Sequence, residues 1–226
     1  MKLDTCFAVC YTGYRDRYPR LMKELDRVGV SPTVVWNFPS PYDDFVRKRI
    51  PCIPELNRKP AYFSAGVGQY RALKTAYELG HEAALIVEDD CRFLKDLDVV
   101  RSTLRNAPPD WDILLLDHFL SAHGEPKDGW APCWKARSTA CHIVNRKAME
   151  RLIDMHESPV NGRWTNPMMR ICDHWLDTRY MKRDCRIYCA VPRLAVQCRC
   201  GPSTSGPGGT ACHYGRDFDW DRYEEY

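Results

Sequence analysis

Apolar positions along the chain alternate between short continuous runs and helical stripes. "DTCFAVCY" (Asp4 to Tyr11) is β-rich and predicts a first strand. In "YPRLMKELDRVGV" the residues Tyr18, Leu21, Met22, Leu25 and Val28 share one helical face, with Pro19 in the first turn and Gly29 as the stop. "PTVVWNF" (Pro32 to Phe38) predicts a second strand. The stretch from Pro39 to Pro60 is irregular, punctuated by Pro41, Pro51 and Pro54 and carrying the basic cluster Arg47, Lys48 and Arg49. Helical spacing returns in "SAGVGQYRALKTAYELG", with Ser64 as N-cap, Val67, Tyr70, Leu73 and Tyr77 on one face, and Gly80 closing it.

"EAALIV" is a continuous apolar run, as expected of a strand covered on both faces. Asp96 to Ala107 reads as a helix closed by Pro108 and Pro109, and "WDILLLD" as a buried strand ending at Asp117. A loop follows, with Gly124, Pro126, Gly129 and Pro132; its Trp130 and Trp134 suit either stacking on a ligand's apolar face or loop packing. "RSTACHIV" predicts a strand, "NRKAMERLIDMH" a helix capped by Asn145, "CDHWLDTRYM" a further helix and "CRIYCAVP" a last strand. No internal repeat is visible. This order predicts an α/β sandwich with a mostly parallel central sheet flanked by helices. Residues 1–195 form one expected domain, and 196–226 a Gly/Ser/Pro-rich flap with an acidic, aromatic tail.

Composition narrows the class. With 226 residues, 44% of them apolar and 28% charged, the chain can bury a full core. Its 33 basic and 30 acidic residues nearly balance, which gives no support to nucleic-acid binding. No apolar run approaches the roughly 18 residues of a spanning helix, and the start lacks a signal-peptide core. Twelve cysteines without such a leader predict mostly free, buried thiols and a cytoplasmic setting, or one peripheral to the inner membrane face.

The chemistry concentrates in "ALIVEDDCRF", where Glu88, Asp89 and Asp90 end a buried strand. Their charges repel unless something positive lies among them. In open α/β sheets working groups gather beyond the carboxyl ends of strands, where both this triplet and Asp117 stand. Such acids can hold Mg²⁺ or Mn²⁺ through oxygen ligands shared with substrate phosphates. A solvated acidic turn or a set of helix caps is the plainer alternative.

The surrounding residues resemble family 25 glycosyltransferases, the lipopolysaccharide and collagen glycosyltransferase group, which have a GT-A-like fold. That family shows a glycine-bearing helix, a short spacer, an apolar strand and an EDD triplet, matched here by "AGVGQYRALKTAYELGHEAALIVEDD" (Ala65 to Asp90). "YTGYRDRYPRLMKEL", "DWDILLLD", "ACHIVNRKAMERLI", "CDHWLD" and "VPRLAVQ…STSG" follow the family's further motifs in order, so the likeness spans most of residues 4 to 205. The chain departs from the family at Gln69-Tyr70, where Ser-His is usual, and at Cys10-Tyr11, where Asn-Leu is usual.

The resemblance implies transfer of a sugar, with inversion, from a nucleotide-diphosphate donor (a UDP-sugar, galactose being the family's habit) to a hydroxyl of a glycan or glycoconjugate. It implies Asp90 as main ligand of Mn²⁺ or Mg²⁺, supported by Glu88 and Asp89; His213 is a further metal candidate from its glycine-rich surroundings, "SGPGGTACHYG", where a flap could close over a diphosphate. Tyr11, Arg17, Gln69, Glu88 and Asp89 are then donor-binding candidates. Asp173 is the favoured base, with Asp117 as second candidate or acceptor contact, and His174 is a further metal or phosphate contact. Two other readings stay open: a phosphoesterase or nuclease holding two ions on Glu88, Asp90, Asp117 and Asp173, and a zinc module built from Cys185, Cys189, Cys198, Cys200, Cys212 and His213.

Overall fold

A computed structural model describes residues 5–12, 15–37, 60–138, 140–157 and 185–197. Ten strands and four helices appear among them: β1 (Cys6–Tyr11), α1 (Arg17–Arg27), β2 (Pro32–Asn37), α2 (Pro60–Glu78), β3 (Ala83–Glu88), β4 (Cys91–Phe93), α3 (Leu97–Arg105), β5 (Ile113–Leu115), β6 (Phe119–His123), β7 (Trp130–Arg137), β8 (Cys141–Asn145), α4 (Arg146–Glu157), β9 (Ile187–Ala190) and β10 (Ala195–Gln197).

Eight strands form one sheet in the order β2-β1-β3-β8-β5-β9-β7-β6, and β10 pairs with β4 in a separate antiparallel ladder. β1 lies parallel to β2 and β3, and β9 parallel to β5. β8 runs against β3 and β5, and β7 against β9 and β6. Only β7 and β8 therefore oppose the common direction, but because β8 lies inside the sheet three of its seven ladders are parallel and four antiparallel. The expected α/β sandwich flanked by helices is observed, with a mixed sheet in place of a mostly parallel one.

Alternation along the strands builds a two-sided core. Phe7 and Val9 of β1, Ala84 and Ile86 of β3, and Ile113 and Leu115 of β5 pack with Ala72, Leu73 and Ala76 of α2 and Met149 and Leu152 of α4. The intervening residues, among them Ala8, Leu85, Val87 and Leu114, meet Leu21 and Leu25 of α1 and Val100 and Leu104 of α3 on the opposite face. Each such buried Leu, Ile or Val contributes about 1.5–3 kcal/mol relative to exposure.

Four details differ from the sequence expectations. Helix α2 begins at Pro60, so Ser64 lies inside it rather than capping it. A proline suits the first helical position because it lacks the donor that would go unpaired there. The segment after Asp117, expected as a loop, contains β6 and β7. Trp130 on β7 is buried and its indole N–H donates to the Thr103 carbonyl at 2.9 Å, so it is a core residue and not a sugar platform. Trp134 remains exposed. Finally, Gln197, expected in the flap, belongs to β10 and pairs with Cys91 of β4.

Candidate functional site

The carboxyl ends of β1 and β3 lie side by side because the two strands are parallel, with Val9 opposite Glu88. Tyr11 therefore stands beside the turn that follows β3. Its backbone N–H donates to Asp89 Oδ2 at 2.9 Å. Arg17, the first residue of α1, reaches across the same gap. One guanidinium nitrogen donates to Asp89 Oδ1 at 3.1 Å and to Asp90 Oδ2 at 3.2 Å. The positive charge that the acid triplet calls for thus comes in part from the chain itself.

Arg17 is only 1% exposed, Asp89 8% and Asp90 7%, so this is a buried cluster and not a solvated acidic turn. Gln197 of β10 donates its side-chain amide to Asp90 Oδ2 at 3.2 Å. Gln69, buried on α2, donates to Glu88 Oε1 at 2.5 Å. The fold thereby brings together six residues singled out from sequence: Tyr11, Arg17, Gln69, Glu88, Asp89 and Asp90.

Among the described residues, Arg17 is the cation paired with Asp89 and Asp90. Two carboxylates share one guanidinium, and Asp90 Oδ1 is buried with no hydrogen-bond partner among the described residues. Burial pushes the Asp90 carboxyl up to about 7; the Asp89 charge adds to the rise, while Arg17 and Gln197 hold it back. Asp89 is also raised, by burial first, against the pull of the Tyr11 amide and Arg17. An isolated buried negative charge is costly, so such a site favours taking up a proton or a cation.

Asp117 sits beyond β5 and is 1% exposed. The amino end of β8 links it to the triplet: the Cys141 carbonyl accepts from the Leu116 and Asp117 N–H groups, and the neighbouring Ala140 carbonyl accepts from Glu88 N–H. The Ser138 hydroxyl donates to Asp117 Oδ2. Ser138 itself has φ 84°, a left-handed conformation that costs a non-glycine residue energy and that clusters at functional sites. Burial raises the Asp117 carboxyl to about 6, opposed by the Ser138 hydrogen bond and by the Arg193 charge.

Ser138 and Gln197 are site residues that sequence reasoning did not single out. Each lies inside a quoted motif, "RSTACHIV" and "VPRLAVQ", but nothing in residue type or spacing marks it. Asp173, His174 and His213 lie outside the described residues, so the structure does not place them. Of the proposed zinc ligands only Cys185 and Cys189 are described; Cys198, Cys200 and Cys212 are not. Cys189 is fully buried in β9, and hydrogen bonding with Cys133, then burial, raises its thiol well above the ordinary value. The seven described cysteines are all free and buried. A protonated core thiol is poorly suited to metal binding.

No family model matches the chain, and no curated protein matches it. Solved structures do share its layout. A glycosyltransferase involved in glycosylation of the major capsid of PBCV-1 aligns over 89% of this chain and 95% of its own, at 11% identity and TM-score 0.47. Mannose-1-phosphate geranyltransferase from Thermus thermophilus aligns over 86% of this chain and 74% of its own, at 8% identity and TM-score 0.47. A Drosophila β-1,4-galactosyltransferase 7 mutant, in complex with manganese, UDP-Gal and xylobiose, aligns over 66% of this chain and 52% of its own, at 14% identity and TM-score 0.32. At such identities and TM-scores these likenesses add nothing to the chemistry read from the residues.

Proposed function

We propose that the protein is a metal-dependent glycosyltransferase of GT-A-like fold, similar to family 25, which moves a sugar from a nucleotide-diphosphate donor to an acceptor hydroxyl on a glycan or glycoconjugate. The observation that carries this reading is the buried Asp90 Oδ1, which has no hydrogen-bond partner among the described residues, in a carboxylate cluster at the carboxyl ends of parallel strands. Among the described residues no group of three or more His, Cys, Asp or Glu side chains could hold an ion alone. The cluster instead fits a cation of the Mg²⁺ or Mn²⁺ kind, which takes one or two protein carboxylates and completes its shell with water and substrate phosphates. Asp90 would hold it, together with phosphate oxygens of a UDP-sugar; Glu88, and His213 from outside the described residues, are the further ligand candidates. A divalent ion bound there supplies Lewis-acid stabilisation for the charge gathered by a departing nucleoside diphosphate.

The chain's own groups have separable tasks in this scheme. Arg17 and the Tyr11 amide fix Asp89 and Asp90, and Gln69 fixes Glu88, so the acidic edge is preorganised before the donor arrives. Asp117, with its carboxyl raised to about 6, is charged at neutral pH yet close enough to it to exchange a proton, which suits an acceptor-orienting group or base. Asp173 is the other base candidate, as the family resemblance implies. For an inverting displacement the base must face the acceptor opposite the leaving group.

Calorimetric titration with a panel of nucleoside diphosphates and nucleotide sugars, with Mn²⁺ and with chelator, tests this reading. One nucleotide is expected to bind with metal only, and Asp90→Asn is expected to abolish that binding in a protein that still melts cooperatively. Binding by none of the panel, or full retention by Asp90→Asn, would sink the assignment.

A further inference from the structure

On the sheet face that carries α1 and α3, a groove of about 290 Å³ lies between the end of α1 and α3. Its inner wall is apolar and buried: Val28 after α1, Leu85 of β3, Phe93 of β4, Val100 and Leu104 of α3, and Leu116 after β5. Gly29, Arg101 and Arg105 complete the lining and are exposed, so they mark its open side. No aspartate or glutamate is among the lining residues.

The two arginines stand one helical turn apart on α3, where side chains are neighbours, so both forks can address one point. Neither makes a hydrogen bond or an ion pair among the described residues. Arg27 of α1 is different. It donates to the Phe93 carbonyl at 2.6 Å, Glu24 Oε2 at 2.9 Å and Asp96 Oδ1 at 3.4 Å, and so ties α1 to β4 beside the groove. A side chain at position 29 would begin 3.4 Å from Leu97 Cδ2 and 3.6 Å from an Arg101 guanidinium nitrogen. Glycine there leaves room at the entrance, and Arg101 reaches across it.

Exposed arginines alone would be solvated, and an apolar wall alone would be packing. One groove joins the two, and that pairing is complementary to an amphipathic anion. An apolar chain gains by leaving water, and a carboxylate matches the planar arginine fork with two hydrogen bonds. At roughly 30 Å³ for each small group, the share of one water in the liquid, the groove holds about ten heavy atoms.

We propose that this groove binds a medium-chain aliphatic carboxylate, its chain against the apolar wall and its head between Arg101 and Arg105. Phe93 lies three residues after Asp90, and Leu116 immediately precedes Asp117. The bound chain therefore rests against segments that carry both acids, but its binding is independent of the glycosyltransferase reading.

The test is calorimetric titration of the full chain, at low ionic strength, with octanoate, hexanoate, octanol, octylammonium and octyl phosphate. Octanoate is expected to bind, and hexanoate to bind about 15-fold more weakly, at about fourfold per methylene. Octylammonium is expected not to bind. Arg101→Gln and Arg105→Gln should each weaken octanoate about tenfold and leave octanol unchanged. Both side chains are exposed and unbonded among the described residues, so melting should be unaltered; two separate positions keep the test intact where one variant fails to fold. Amide shifts on adding octanoate should gather at residues 28–30 and 97–105. Absence of octanoate binding, equal binding of hexanoate, tighter binding of octyl phosphate, binding of octylammonium, full affinity in both variants, or amide shifts confined to other residues overturns the proposal.

Discussion

Asp117 shows what full burial does to a carboxyl. Its carboxyl is fully buried and raised from 3.8 to about 6, so the folded protein holds a proton that the unfolded chain gives up. The stabilisation from that proton is complete below about pH 4 and is lost as pH rises through about 6. Asp117→Asn removes the titration. Relative to wild type the variant should therefore gain stability between pH 4 and pH 7, by on the order of 3 kcal/mol at about 1.4 kcal/mol per unit. Urea unfolding at a series of pH values reads this directly, and a difference that stays constant with pH would refute it. At the same scale, the acid triplet was legible because three adjacent carboxylates ending an apolar run stand out in any sequence. Its partnership with Arg17 was not: the two lie 72 and 73 residues apart, and only the parallel pairing of β1 with β3 brings them together.

At the scale of elements, α4 is held at its start by one residue. Asn145 Oδ1 accepts the Ala148 N–H at 2.9 Å, the capping contact its position after "ACHIV" predicts. Its amide nitrogen also donates to the Trp111 carbonyl at 2.8 Å and to Asp112 Oδ1 at 3.1 Å, tying the helix start to the entry of β5. Asn145→Ala should cost about 2 kcal/mol, and Asn145→Ser should recover the capping part alone; chemical denaturation of the two variants separates cap from tie. Elements with a long apolar stripe or run, such as α1, β1 and β3, could be read from the pattern because burial on one or both sides wrote it. The β6–β7 pair could not. Pro132 interrupts β7, and a proline in a strand argues against one. A better clue was the Asp128-Gly129 dipeptide, whose φ angles of 53° and 86° form the tight turn between Lys127 and Trp130. The three-residue strands β4 and β10 carry no periodicity to find.

At the scale of the whole molecule, the order of the sheet places β3, β8 and β5 in its middle with helices over both faces. Native-state hydrogen exchange should find the amides of β8 among the slowest and those of the edge strands β2 and β6 faster, since interior pairing opens only with global unfolding. Uniform protection across the sheet would contradict this architecture. The β4–β10 ladder has a consequence in time. Gln197 braces Asp90 from 107 positions later, and the ladder it belongs to pairs it with Cys91, the residue after Asp90. A nascent chain leaves the ribosome with Tyr11, Arg17 and the acids in hand long before that brace exists. Synthesis must run through residue 197 before Asp90 has its full set of neighbours, so an interrupted or clipped chain can carry every acid of the site and still be a blunt instrument.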